Sequence, residues 1–132
     1  MPGLRPLGWH PSVQMPWGVW RVVQHYHIWF DTHPGTQDLD LADAMEAFLS
    51  HMQADGTIVD WHLERRTLGL CSADLGEWHV DIQVNDLAQL QAAFDTITPR
   101  RGKDEKLHAG VWSKVTGLKF ALYRDFPDAN RR

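Results

Sequence analysis

The stretch VVQHYHIWFD, Val22 to Asp31, decides how the rest of the chain is read. It is rich in β-branched and aromatic residues, the composition of a strand. Side chains alternate along a strand, so Tyr26, Ile28 and Phe30 share one face and His25, His27, Trp29 and Asp31 the other. The first face is core. The second is polar, aromatic and titratable, and any function is expected to use it.

Outward from this strand, Pro34 and Gly35 make a turn. Asp38 is a good N-cap for a helix whose buried stripe is Leu41, Met45, Phe48 and Met52, closed by Asp55-Gly56. Thr57 to Arg66 reads as a second strand, with Val59, Trp61 and Leu63 against Asp60, His62, Glu64 and Arg66. After a loop with two glycines, Glu77 to Asn85 alternates most cleanly, with Trp78, Val80, Ile82 and Val84 against Glu77, His79, Asp81 and Gln83. Asp86 caps a second helix, with Gln89 at the capping-box position and Leu87, Leu90, Phe94 and Ile97 as its apolar stripe. Pro99 and Gly102 break it. Asp104 to Lys114 reads as a short third helix, and Leu118 to Phe126 as the last strand, with Leu118, Phe120 and Leu122 on one face and Ala121 and Tyr123 on the other. Phe48, Trp78, Ile82 and Phe94 are expected to be nearly fully buried.

This order is that of an α+β, ferredoxin-like βαββαβ domain. Right-handed crossovers put both main helices on one side of a four-stranded antiparallel sheet of order 4-1-3-2. The domain is expected over 22–128, with an N-terminal arm over 1–21 and a tail over 129–132. The arm carries Trp9, Trp17 and Trp20, too apolar for a free tail, so it lies on the domain or on a partner; alternatively Met15 is the initiator.

The chain has 132 residues, the size of one domain. Thirteen basic residues against seventeen acidic ones give a net charge of −4, which argues against a general nucleic-acid binder. A single cysteine, Cys71, excludes an internal disulfide and a cysteine-built zinc site. No apolar run is long enough to cross a membrane, and a cytoplasmic location is the default. Seven tryptophans imply either a heavily aromatic core or a second buried surface, such as a dimer interface or a ligand pocket.

The open sheet face is too aromatic to be simply solvated, with Trp29 and Tyr123 among its polar groups, and covering by a second copy is the simplest solution. Here the pattern resembles the dimeric α/β-barrel superfamily, through HYHIWFDTHPG at 25–35, LERRTLGL at 63–70, GEWHVDIQVNDLAQLQAAF at 76–94 and FALYRDFPD at 120–128, and within it a small uncharacterised bacterial family. The resemblance implies a homodimer whose sheets face each other in a dimeric α/β barrel enclosing small pockets. Its relatives include cofactor-free quinone-forming monooxygenases, haem-dependent enzymes, stress-induced proteins and ligand binders. This sequence does not match the Asn/Trp/His pattern of the cofactor-free oxygenases, so no role is carried over from them.

Candidate chemistry therefore rests on the residues themselves. His25 and His27 stand about 6.6–7 Å apart on one strand, and His79 is expected on its neighbour, about 4.8 Å across. His27 and His79 form a candidate acid–base pair with Asp81, while His25, Trp29, His62 and Tyr123 are candidate ligand contacts. Asp31, Glu64 and Glu77 add further carboxylates. Three readings stay open: a hydrogen-bonded polar layer under a dimer interface, an acid–base or ligand-positioning site, and a zinc or iron site. No metal is assigned and no cofactor is expected; the expected partners are a second copy and a small apolar or aromatic ligand, with no nucleic acid and no membrane. No motif names a reaction, so an oxygenase- or isomerase-like enzyme and a non-catalytic dimeric binding or stress-associated domain both remain. On the enzyme reading the pocket lies between helices and sheet or inside the dimer barrel, and one of about 300 Å³ or more opening onto His27 and His79 would favour a ligand there.

Overall fold

A computed structural model describes residues 23–98 and 102–127. The expected arm with its tryptophans, Pro99, the Arg100-Arg101 pair and the tail lie outside the described residues. The elements run β1 (Gln24–Thr32), α1 (Asp38–Ala54), β2 (Asp60–Arg65), β3 (Trp78–Val84), α2 (Leu87–Ile97), α3 (Gly102–Trp112) and β4 (Val115–Arg124). The four strands form one sheet of order β2-β3-β1-β4, antiparallel throughout. This is the ferredoxin-like arrangement read from the sequence.

The barrel implied by the resemblance is not there. Among the described residues β2 pairs only with β3 and β4 only with β1, so the sheet is open, with β2 and β4 as its edges. Four strands are too few to wrap a sheet onto itself around a packed interior, which takes about eight.

The alternation of β1 is propagated across the sheet by register. Tyr26, Ile28 and Phe30 stand opposite Ile82, Val80 and Trp78 of β3, and Trp61 and Leu63 of β2 extend the same face. Against it pack Leu41, Met45, Phe48, Leu49 and Met52 of α1, Leu90 and Ala93 of α2, and Val111 of α3. The helix ends follow local rules, with one shift. Asp38 is inside the first turn of α1 rather than at its cap, which is Gln37 and makes no side-chain cap bond. Its carboxylate still favours the helix N-terminus, and it pairs with Arg65 at 3.1 Å. Asp86 caps α2 as expected, accepting from Gln89 N at 2.8 Å.

Two glycines answer to tertiary demands. A Cβ on Gly76 would sit 2.3 Å from the Phe30 carbonyl oxygen, so only glycine lets this loop touch the β1 backbone. Gly117, at φ +65°, lies where β4 carries one extra residue opposite β1, between the pairs Trp29↔Lys119 and Asp31↔Thr116. This bulge inverts parity. Simple alternation from Leu118 would put Val115 on the open face, whereas the bulge sets it opposite Thr32 and buries it in the core.

Burial departs from expectation at one end. Phe48 and Trp78 are buried, but Ile82 is only half-buried and Phe94 is 38% exposed. Phe120 and Leu122 on the core-parity face of β4 are exposed too. The cause is where α3 sits: it packs chiefly on α1. Among the described residues no helix covers this end of β4. Phe30 is therefore the better core probe. Phe30→Ala should cost about 3–5 kcal/mol, and Phe94→Ala no more than about 2 kcal/mol, by denaturant midpoints. Equal losses at the two positions would contradict this division of the core.

Candidate functional site

The open face is laid out by the same registers. His25, His27 and Trp29 of β1 stand opposite Gln83, Asp81 and His79 of β3, which in turn oppose Asp60, His62 and Glu64 of β2. On the other flank, β4 sets Tyr123 beside His25 and Ala121 beside His27.

Two separate hydrogen-bond systems result. In the first, His25 donates Nδ1 to Asp81, at 3.1 Å to its nearer oxygen, and Nε2 to Asp125 Oδ1 at 2.7 Å. Asp125 is buried and also accepts the Val23 amide at 3.1 Å through Oδ2. Burial works against charge on His25, but the hydrogen bond to Asp125 and the charge and hydrogen bonding of Asp81 outweigh it, and its pKa is raised. Two carboxylates flank the His25 ring and favour its imidazolium form.

In the second system, Glu64 Oε1 accepts from His79 Nδ1 at 2.8 Å, and His79 Nε2 meets His27 Nδ1 at 2.7 Å. A carboxylate only accepts, so the proton of neutral His79 sits on Nδ1. Its Nε2 then accepts from His27 Nδ1–H, which leaves His27 Nε2 with its lone pair. Burial is the main cause that holds the His27 pKa below its ordinary value; the attraction of Asp81 opposes it and the positive charge favoured on His25 adds to it. The rings form a stack, His27 on His79 at 4.9 Å and His79 on Trp29 at 4.9 Å, with Tyr123 edge-on to His27 at 5.3 Å. A neutral imidazole whose Nδ1–H is held by a second histidine and a carboxylate has the form of a general base.

The expected site residues are thus divided. His27 and His79 are in direct contact, but Asp81 is bonded to His25 and not to them. His62 is exposed and stands outside both systems, while Trp29 and Tyr123 wall the stack. Asp31 accepts the Glu77 amide, and Glu77 pairs with Arg65, so neither joins the histidines. His25, His27 and Asp81 each offer a donor atom within 4.8 Å of the others, the spacing of a metal site. An imidazolium, however, has no lone pair for a metal, and His25 would first have to surrender a carboxylate. Asp125 was missed by the sequence reading, although its parity, two residues beyond Tyr123, pointed to this face.

The cavity lies on the other side of the sheet. It measures about 260 Å³ between helices and sheet, and its walls include Tyr26, Phe48, Ala93, Phe94, Trp112 and Phe120. Its lining is apolar except for the Tyr26 hydroxyl, the His108 imidazole and the indole N–H of Trp112. Burial raises the Tyr26 hydroxyl above its usual range. Phe94, Trp112 and Phe120 are exposed, which puts the mouth at the uncovered end of β4. This cavity lies between helices and sheet, on the opposite face of the sheet from His27 and His79. A shallower groove of about 230 Å³ does touch Trp29, Glu64 and His79 but not His27.

Residues 23–132 match a family described as one of unknown function, DUF6614. No curated protein matches. Among solved structures, SnoaB from Streptomyces nogalater, a cofactor-independent oxygenase, is similar with 10% identity and a TM-score of 0.58 over 81% of this chain and 95% of its own. A dimeric ferredoxin-like protein of unknown function from Jannaschia sp. CCS1 is 9% identical, TM-score 0.58, over 76% of this chain and 97% of its own. A second such dimeric protein, from Thermobifida fusca, is 10% identical, TM-score 0.54, over 77% and 90%. At these identities the likeness shows the ferredoxin-like fold. No helix among the described residues is long and apolar enough to cross a membrane.

The two histidine systems make opposite contributions with pH. The folded pKa of His25 lies above its ordinary 6.5, so the stability it adds is full below about pH 6.5 and is lost as pH rises through the folded value. That of His27 lies below 6.5, so its contribution is present above about pH 6.5 and is lost as pH falls. His25→Gln should thus cost most near pH 6 and progressively less toward about pH 8.5. Urea midpoints across that range check it, and a cost that grows with pH would overturn the imidazolium assignment.

Proposed function

We infer that this chain, which belongs to the family of unknown function DUF6614, binds a small apolar or aromatic molecule in the cavity between its helices and its sheet. The observation that carries this reading is the cavity itself, about 260 Å³ with aromatic walls and an exposed aromatic rim. An apolar cavity of about 150 Å³ stays dry and takes benzene, so this one has room for a two-ring ligand. Such a ligand gains by leaving water and by edge and stacking contacts with the walls.

A second copy covers the open face in the same proposal. Tyr123 there is 61% exposed, beside the aromatic stack of Trp29 and the histidines. In the layer beneath it His25, His79, Asp81 and Asp125 are already hydrogen-bonded, so covering them strands none of these groups. The similar proteins from Jannaschia and Thermobifida are described as dimeric, which supports the same habit here.

The chain Glu64–His79–His27 favours a second reading, a cofactor-free oxygenase- or isomerase-like reaction on the open face. His27 and His79 would be its acid–base pair, with Asp81 acting through His25. His25, Trp29, His62 and Tyr123 would surround the substrate. The likeness to SnoaB adds the fold but no residue to that reading.

Naphthalene distinguishes the two. It should quench tryptophan fluorescence and, at ten times its Kd, stabilise the protein by about 1.4 kcal/mol. Ala93→Leu, which fills the cavity, should abolish this, and His27→Ala should not. The reverse pattern would move the ligand to the open face, and no binding at all would sink the cavity reading. In sedimentation the wild type should be a dimer at micromolar concentration and Trp29→Glu a monomer. A monomeric wild type would remove the proposed interface.

A further inference from the structure

The cavity has one polar feature that the reading above does not use. His108 and Glu105 stand three residues apart on α3. His108 lines the cavity, its ring 5.3 Å from Phe48 and stacked at 6.0 Å on Trp112. Its Nδ1 faces Glu105 Oε2 at 3.4 Å. That oxygen is buried, and among the described residues nothing donates a hydrogen bond to it.

A buried carboxylate oxygen without a donor is costly. A small turn of the imidazole relieves the cost by bringing Nδ1–H onto Oε2. That choice of tautomer leaves the Nε2 lone pair as a hydrogen-bond acceptor on a ring that lines the cavity. The carboxylate behind it makes the imidazole a stronger acceptor, because charge shifting toward Nε2–H is compensated at Nδ1. Of the other polar lining groups, the Tyr26 hydroxyl both donates and accepts and so does not discriminate between donor and acceptor ligands, while the Trp112 indole N–H only donates and so does not receive a ligand's proton.

We propose that His108, backed by Glu105, is the specificity end of this cavity and selects an aromatic ligand that carries a hydroxyl, a phenol or naphthol, which donates to His108 Nε2. The inference rests on the cavity reading. Without a partner for its hydroxyl, such a ligand would bind more weakly than the parent hydrocarbon, since desolvating the hydroxyl costs free energy. Preference for the hydroxyl is therefore diagnostic. His108 is the contacting residue and Glu105 a positioning residue that acts through it.

The test compares 2-naphthol, 2-methoxynaphthalene and naphthalene on the full-length protein by fluorescence titration. The wild type should bind 2-naphthol about tenfold more tightly than either of the others. His108→Phe should erase that preference while still binding naphthalene, which shows that the variant is folded with its cavity intact. Glu105→Gln should reduce the preference and leave naphthalene affinity unchanged. Tyr26→Phe should keep it. Equal or weaker binding of 2-naphthol, or equally tight binding of the methoxy compound, overturns this inference and leaves the cavity reading standing. A preference that survives His108→Phe, or disappears in Tyr26→Phe, overturns the assignment to His108. If none of the three binds, the cavity reading fails and this inference with it.

Discussion

Everything in this fold depends on β1 being paired on both sides in a single register. The strand contributes Tyr26, Ile28 and Phe30 to one face and His25, His27 and Trp29 to the other, and its neighbours must match that division residue by residue. A slip of one residue would send every side chain of β3 to the wrong face. It would bury His79 and Asp81 under α1 and expose Val80 and Ile82. The hydrophobic gain of the core and the hydrogen bonding of the polar layer are thus two consequences of one register, and each penalises the same error.

The ends of that register are secured by polar contacts. Asp125 binds the Val23 amide and His25 together and also donates its own amide to Val23 O at 3.0 Å, tying the exit of β4 to the entry of β1. At the other end, Asp31 accepts the Glu77 amide where the loop before β3 returns to the sheet. Gly76 allows that approach and Gly117 absorbs the extra residue of β4. The histidine face is consequently held on a rigid strand pair rather than on loops, which suits positioned polar groups whether they serve an interface or a reaction.

The helix side is less complete. Because α3 leans on α1, Phe94, Phe120 and Leu122 stay exposed. The space left beneath them is the cavity. The two candidate functional surfaces are thereby separated by the thickness of the sheet: an aromatic cavity with His108 on one side, and the stacked histidines with Trp29 on the other. A ligand in the cavity cannot touch His27, so binding and imidazole chemistry, where both exist, are independent properties of the two faces.

The order of elements, the antiparallel strand order and the facing of most residues were determined by the sequence alone, because alternation in β1 and β3 and the stripes of α1 and α2 are local patterns written by burial. The contact between His27 and His79 followed from parity and strand adjacency in the same way. Other features were decided only in three dimensions. The parity inversion at Val115 comes from a bulge that compensates a length mismatch between two strands whose nearest partners, Thr32 and Val115, are 83 positions apart, which no window of sequence contains. The pairing of Asp81 with His25 depends on a diagonal contact and on Asp125, which arrives from the far end of the chain. The cavity and its His108–Glu105 end exist because α3 packs on α1 instead of covering β4. Periodicity tells a side chain which way to face, but whether anything stands opposite it is settled by how the elements pack.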